Sequence, residues 1–235
     1  MRKSVLFVAL LAVSGLMLPE PARAATIDLT LANSFPNGAL GIAYVGPYVA
    51  SSGGNTIDII CDDFIHDSYV GESWTANVYS LTDNLSQTFF HDQTKYEEAA
   101  YLASELLNPS VGCTLSSSNC KGDIQYAVWQ LFDSTGANQP FSYISGNDLT
   151  NATTFLKDAT DKGSANLLSA SMFPSFVIYT PISGTATCSG HLCDNTPPQE
   201  FITFVPEPGT FELLGLGIAA AALLRRRRNA WSASL

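Results

Sequence analysis

All six arginines of this 235-residue chain lie near its two ends, and they flank the two apolar runs found there. Between the ends, residues 25–204 hold 18 acidic and 4 basic side chains and no arginine. That arrangement separates addresses from fold: the unit that must build a core is the acidic, arginine-free middle. A partner made of nucleic acid needs lysine or arginine against its phosphates, so that class is excluded. With 46% hydrophobic and 14% charged residues, the chain also falls outside the composition of a wholly disordered protein.

Residues 1–24 read as a secretory signal peptide. Arg2 and Lys3 supply the positive start, residues 5–18 the apolar run, and Ala22-Arg23-Ala24 a small-x-small cleavage site. The other end has three parts in order. Val205-Pro206-Glu207-Pro208-Gly209 is stiff and turn-forming, residues 211–224 are apolar apart from Glu212, and Arg225, Arg226, Arg227 and Arg228 form a compact positive cluster. A stretch of 14 residues makes a short membrane helix, since a full span wants roughly 20. Arginine stems can extend its reach, and four arginines directly after it place that end, with the tail 229–235, in the cytoplasm.

This tail resembles the PEP-CTERM sorting signal of Gram-negative bacteria. The resemblance implies processing near Pro206-Glu207-Pro208 by an exosortase, a membrane-embedded cysteine transpeptidase. It further implies a precursor held in the inner membrane by its C-terminal helix, then transfer to the outer envelope or the extracellular polysaccharide matrix.

The middle section predicts one α+β domain. Residues 26–32 alternate Ile27, Leu29 and Leu31 with polar neighbours, the period-2 pattern of a half-buried strand. Residues 40–44, 56–61 and 73–81 continue the strand pattern, separated by Pro36-Asn37-Gly38, Gly46-Pro47 and residues 51–54. Thr94 and Glu97 have capping-box spacing, and an apolar stripe from Tyr96 to Leu107 follows, ended by Asn108-Pro109. Further helices are expected from Asp123 to Phe132 and over 148–159, and strands return at 175–180 and 199–205. The expected architecture is therefore an antiparallel β-sandwich-like domain over 25–204 with a small helical bundle inserted at about 92–162.

All five cysteines fall in this exported, oxidising section. Cys113 and Cys120 bracket a short polar loop, and Cys188 and Cys193 another, so each pair suits a local disulfide, although spacing alone does not fix connectivity. That leaves Cys61, which ends an apolar strand pattern and precedes Asp62-Asp63-Phe64. Cys61 has four readings: an ordinary core thiol, part of a metal site with Asp62, Asp63, His66 and Asp67, a nucleophile served by His66 or His91, or one half of a thioester. The run lacks the glycine and bidentate glutamate of a calcium loop, so no metal is assigned, and no cofactor is expected.

The thioester reading depends on Gln125 in Ile124-Gln125-Tyr126-Ala127-Val128-Trp129. Helical spacing puts Gln125 on one face with Trp129 and Phe132. A cysteine thiolate attacking that carboxamide and expelling ammonia would leave an activated acyl group, shielded from water by Trp129. The segment resembles the thioester domains of Gram-positive surface adhesins. These carry a hydrophobic-Gln-x-x-hydrophobic-Trp motif, and the six residues from Ile124 match it at every defined position. The cysteine motif is looser, with Ile60 where an aromatic or leucine stands in the family. The resemblance implies a β-sandwich with an inserted helical bundle and covalent attachment through Cys61 and Gln125.

Adjacent Asp62 and Asp63 would point to opposite faces of a strand, which argues against a carboxylate pair for sugar hydrolysis. The expected role is non-enzymatic: a surface or matrix protein, adhesive through a self-formed thioester to an envelope or matrix protein or polysaccharide. The alternative is a passive component associated with exopolysaccharide, in which Cys61 only fills core.

Overall fold

A computed structural model of the chain describes residues 25–32, 37–107, 119–135, 139–188 and 196–205. The expected signal peptide, the sorting tail beyond Val205, and Cys113 and Cys193 lie outside these described residues. Among the described residues, no helix is long and apolar enough to cross a membrane.

The strands are β1 (Ala25–Leu31), β2 (Ala39–Leu40), β3 (Ala43–Tyr44), β4 (Tyr48–Ser52), β5 (Asn55–Cys61), β6 (Glu72–Ser80), β7 (Phe176–Pro181), β8 (Thr187–Cys188) and β9 (Phe201–Phe204). Three helices enter between β6 and β7: α1 (Gln93–Leu107), α2 (Cys120–Phe132) and α3 (Gly146–Ser164). The main sheet runs β1-β4-β5-β9-β7-β6-β8, every pairing antiparallel, and β1 also pairs with β6. Six strands thus close into a ring, with β8 attached to the far edge of β6 and β2–β3 forming a separate hairpin.

The ring corrects the expected sandwich. A sandwich and a barrel bury the same alternate side chains, so the period-2 pattern does not distinguish them. Two strands make the difference. β6 spans nine residues, enough to pair with β1 on one edge and with β7 and β8 on the other. β4 joins β1 to β5 through a tight turn at Gly53-Gly54, both at positive φ, where the sequence suggests only a loop. Closure leaves fewer unpaired edges exposed.

Strand alternation then sorts two cores. Leu29, Ala50, Ile59, Cys61, Trp74, Ala76, Tyr179 and Phe201, drawn from all six ring strands, form the inner cluster, which Tyr126 and Trp129 of α2 join. Ile60, Ile178 and Ile202 face the other way, toward Tyr96, Leu102, Leu106, Ile124 and Val128 of the helices.

Helix boundaries differ from the sequence expectation in informative ways. α1 begins one residue before Thr94, because Asp92 and not Thr94 caps it: Asp92 Oδ1 accepts the Lys95 N–H at 3.1 Å. Glu97 is spent elsewhere, accepting the Ala170 N–H at 3.0 Å. α2 starts a turn earlier than Asp123 and is buried almost all round, since α1, α3 and β5 all pack on it. α3 runs past both expected ends. Its threonines return their hydroxyls to carbonyls one turn back (Thr150 to Gly146, Thr153 to Leu149, Thr160 to Leu156), so they satisfy themselves within the helix.

Candidate functional site

Cys61 is the last residue of β5, wholly buried, and its thiol is free. Being in register with Phe201 and on the same face as Ile59, it points into the ring. Its Sγ donates a hydrogen bond to the Asp63 carbonyl at 2.9 Å. Burial pushes the thiol pKa well up, and the neighbouring Asp63 and Asp62 charges add to that rise. Trp129 acts in the opposite direction. Its buried indole N–H has no hydrogen-bond acceptor, and its nearness to the sulfur favours the thiolate.

Gln125 meets this cysteine from α2. It is wholly buried, and both ends of its carboxamide are held. Nε2 donates to the Cys61 carbonyl at 2.6 Å, and Oε1 accepts the Gly46 N–H at 3.2 Å. Gly46 is a glycine for a steric reason: a Cβ there would sit 2.5 Å from Oε1. Trp129, one turn further along α2, packs at 5.0 Å between ring centroids on Phe64 and likewise on Tyr126. Tyr126 in turn donates its hydroxyl to the Leu40 carbonyl at 2.8 Å, fixing the β2–β3 hairpin beside the site.

The structure therefore brings Cys61, Gln125 and Trp129 together. Phe132 parts from them, packing on Phe90 and Tyr96 in the helical core. The other readings of Cys61 find less geometry. His66 Nδ1 is bonded to Asp63 Oδ2 at 2.6 Å, and His91 Nδ1 to the Leu85 carbonyl at 3.4 Å, so neither imidazole engages the sulfur. Asp62, Asp63, His66 and Asp67 do not converge: among the described residues no group of three or more such side chains could hold a metal ion.

A cleft of about 700 Å³ opens beside the site. Tyr44, Tyr48, Phe64, Trp129 and Tyr143 form much of its wall, with Asp67 and Asp133 among its polar groups. Trp129, Tyr48 and Phe201 thus border the cleft while packing in the same cluster as Cys61. Cys113 and Cys193, the partners expected for Cys120 and Cys188, lie outside the described residues.

Sequence reasoning missed Gly46 and Glu200. Gly46 registers only as half of a turn-forming Gly-Pro pair, yet its N–H donates to the Gln125 oxygen. Glu200 is buried in the helical core and accepts from three donors: the Tyr96 hydroxyl, the Thr180 hydroxyl and the Phe89 N–H, the last at 3.0 Å. An isolated acidic residue before a strand gives no signal for such a place.

Fold and site together define an α+β domain in which a buried cysteine of a closed sheet abuts a buried glutamine of a covering helix. Residues 204–228 match the PEP-CTERM protein-sorting motif, which marks an exported, membrane-transiting precursor processed by an exosortase. A similar solved structure is the N-terminal thioester domain of fibronectin-binding protein SfbI from Streptococcus pyogenes, at 12% identity and a TM-score of 0.42, covering 80% of this chain and 97% of that one. A likeness that distant carries no functional argument. No curated protein matches the chain.

Proposed function

We propose that this exosortase-sorted surface protein forms an internal thioester between Cys61 and Gln125, and uses it to attach covalently to an amine or hydroxyl of an envelope or matrix partner, protein or polysaccharide. The observation that carries the reading is the doubly bonded carboxamide of a wholly buried Gln125, one end on the backbone of Cys61 itself.

In the first step Sγ bonds to Gln125 Cδ. The carbonyl oxygen gains charge, and the Gly46 N–H already points at it, as an oxyanion donor should. The C–N bond then breaks, the thiol proton leaves with the nitrogen, and ammonia departs. In the second step a partner amine or hydroxyl attacks the same carbon, the C–S bond breaks, and Cys61 regains its proton. Trp129 and Phe64 keep the acyl group dry between the two steps. The protein is consumed once per attachment, so this is self-modification without turnover. Local disulfides Cys113–Cys120 and Cys188–Cys193 complete the proposal, and they predict a four-proton gain in mass on reduction.

A second reading is favoured by one observation. Cys61 is a free, protonated thiol satisfied by the Asp63 carbonyl, which is also how a passive core cysteine behaves in a matrix component. Intact mass of the purified chain separates the two. The thioester lowers the mass by one ammonia, the deficit vanishes in Cys61→Ala and Gln125→Ala, and methylamine restores mass by adduct formation. A full-mass chain with one titratable thiol would refute attachment through this site.

A further inference from the structure

Immediately after Cys61, the strand register sets two acidic residues against each other. Ile60 pairs with Ile202, and the same antiparallel run places Asp62 opposite Glu200, with the Asp62 N–H directed to the Glu200 carbonyl at 3.4 Å. Both side chains are wholly buried on the helical side of the sheet. Two carboxylates directly opposite in a dry interior repel strongly. Donors are distributed unequally between them. Both Glu200 oxygens are served, by Tyr96 of α1 on one and by Thr180 of β7 and the Phe89 N–H on the other, whereas neither Asp62 oxygen meets any donor. None of the ion pairs among the described residues involves either acid.

We propose that Asp62 is a neutral carboxylic acid that donates its proton to Glu200, and that this acid–carboxylate pair is a positioning device locking the Cys61 end of β5 to β9. The proton belongs on Asp62 because Glu200 already accepts three bonds that suit an anion. That position gives one of the two orphaned Asp62 oxygens a partner, as the donor of the pair. The positioning role rests on the thioester reading, since what is positioned is the sulfur beneath Gln125.

The donors that face the pair, from Tyr96, Thr180 and the Phe89 N–H, are all taken by Glu200, and the neighbouring Asp63 opposes a second negative charge. Of the titratable groups around the pair, Tyr96 comes from α1, Tyr79 from β6, and Asp63 and Cys61 from the same strand end, the Asp63 carboxylate being itself bonded to His66. Burial first, then Glu200, holds the Asp62 carboxyl well above the usual range. Raising the pH far enough removes the shared proton, leaves two anions across one strand pair, and loosens the end of β5.

The test uses the full chain and infrared spectroscopy. A protonated-carboxyl band at neutral pH should vanish in Asp62→Asn, and also in Glu200→Gln, where Asp62 can ionise against an amide donor. A band absent in the wild type, or unchanged in both variants, overturns the proposal. The second measurement is the ammonia-deficient fraction of freshly refolded chain against pH. Wild type should lose that species at alkaline pH, Asp62→Asn should retain it there because its amide donates to Glu200 without titrating, and Asp62→Leu should lose most of it at every pH. Identical wild-type and Asp62→Asn profiles overturn the positioning role. A wild type with no ammonia deficit at any pH, but with the band present, means instead that the thioester reading has failed and the positioning role with it, while the shared proton stands.

Discussion

Gly46→Ala tests the site most directly. The backbone at Gly46 is not left-handed, so alanine meets no conformational penalty of its own. What it meets is the Gln125 Oε1, 2.5 Å from the new Cβ, with the Tyr48 ring next at 3.4 Å. Overpacking of this kind costs about 1–3 kcal/mol, and the carboxamide must shift off the Gly46 N–H to relieve it. Gln125→Ala alone leaves that N–H and the Cys61 carbonyl buried without partners, for about 1–3 kcal/mol. In the double variant the clash has no second party. The two costs should therefore fail to add, by at least about 1 kcal/mol. The assay is urea denaturation followed by tryptophan fluorescence, run on a Cys61→Ala background so that no covalent bond enters the cycle. With Cys61 restored, Gly46→Ala alone should also suppress the ammonia deficit. Additivity within about 0.5 kcal/mol would mean that the Gly46–Gln125 contact is not the constraint described, and the oxyanion argument would fall with it.

Three further outcomes follow from the same geometry. Gln125→Glu keeps the shape but replaces the Nε2 donor with a carboxyl facing the Cys61 carbonyl; the chain should show no ammonia deficit by mass and should be destabilised at neutral pH, recovering in acid as the carboxyl protonates. The Asp62–Glu200 pair holds its shared proton above the usual carboxylate range, so that contribution to stability is full below about pH 4 and is lost as the pH rises through the raised folded-state value; the unfolding free energy from urea denaturation should fall over that range by up to about 1.4 kcal/mol per pH unit, and Asp62→Asn should flatten the slope. Tyr126→Phe removes the bond to the Leu40 carbonyl, which should cost about 1 kcal/mol in denaturation and raise hydrogen exchange at the β2–β3 hairpin without changing the mass of the chain.

What could be read from the chain beforehand was whatever depends on neighbours a few residues apart. The alternation of Ile27, Leu29 and Leu31, or of Ile57, Ile59 and Cys61, survives as the inward face of the ring because period 2 is a local property. Gln125 and Trp129 share a helix turn, and their association was legible for the same reason. Ring closure was not, since it depends on β6 serving two edges at once. β4 was hidden because Tyr48–Ser52 is short and ends in small polar residues, while Gly53-Gly54 reads equally as loop or hairpin. Gly46 lies 79 residues from Gln125, and Asp62 meets Glu200 only through the β5–β9 register. No spacing rule reaches contacts of that kind. The Thr94 cap failed for a subtler reason: Asp92 offers a stronger acceptor two positions earlier, and Glu97 has a better use against Ala170.

Burial alone does not separate a reactive Cys61 from an inert one, because it raises the thiol pKa in either case and keeps outside reagents away. It does restrict what a reactive Cys61 could react with. A sulfur closed inside a ring of six strands is a poor redox sensor and a poor hydrolytic nucleophile, since both need an incoming molecule. An electrophile already inside the same core escapes that restriction, and Gln125 is such a group, delivered by a helix that is itself too enclosed to move away. A glutamine placed there merely to fill space would carry a desolvation cost that leucine would avoid. Its amide is instead matched, donor to carbonyl and acceptor to N–H, with backbone from two different strand connections, one of them belonging to the cysteine. Those bonds orient the carbonyl carbon and polarise it, while the nearby Trp129 N–H offsets part of the burial that suppresses the thiolate. The balance between suppression from burial and activation from these few donors is thus set within the domain, which is why removing the Gly46 or Trp129 donor should alter the chemistry more than the fold.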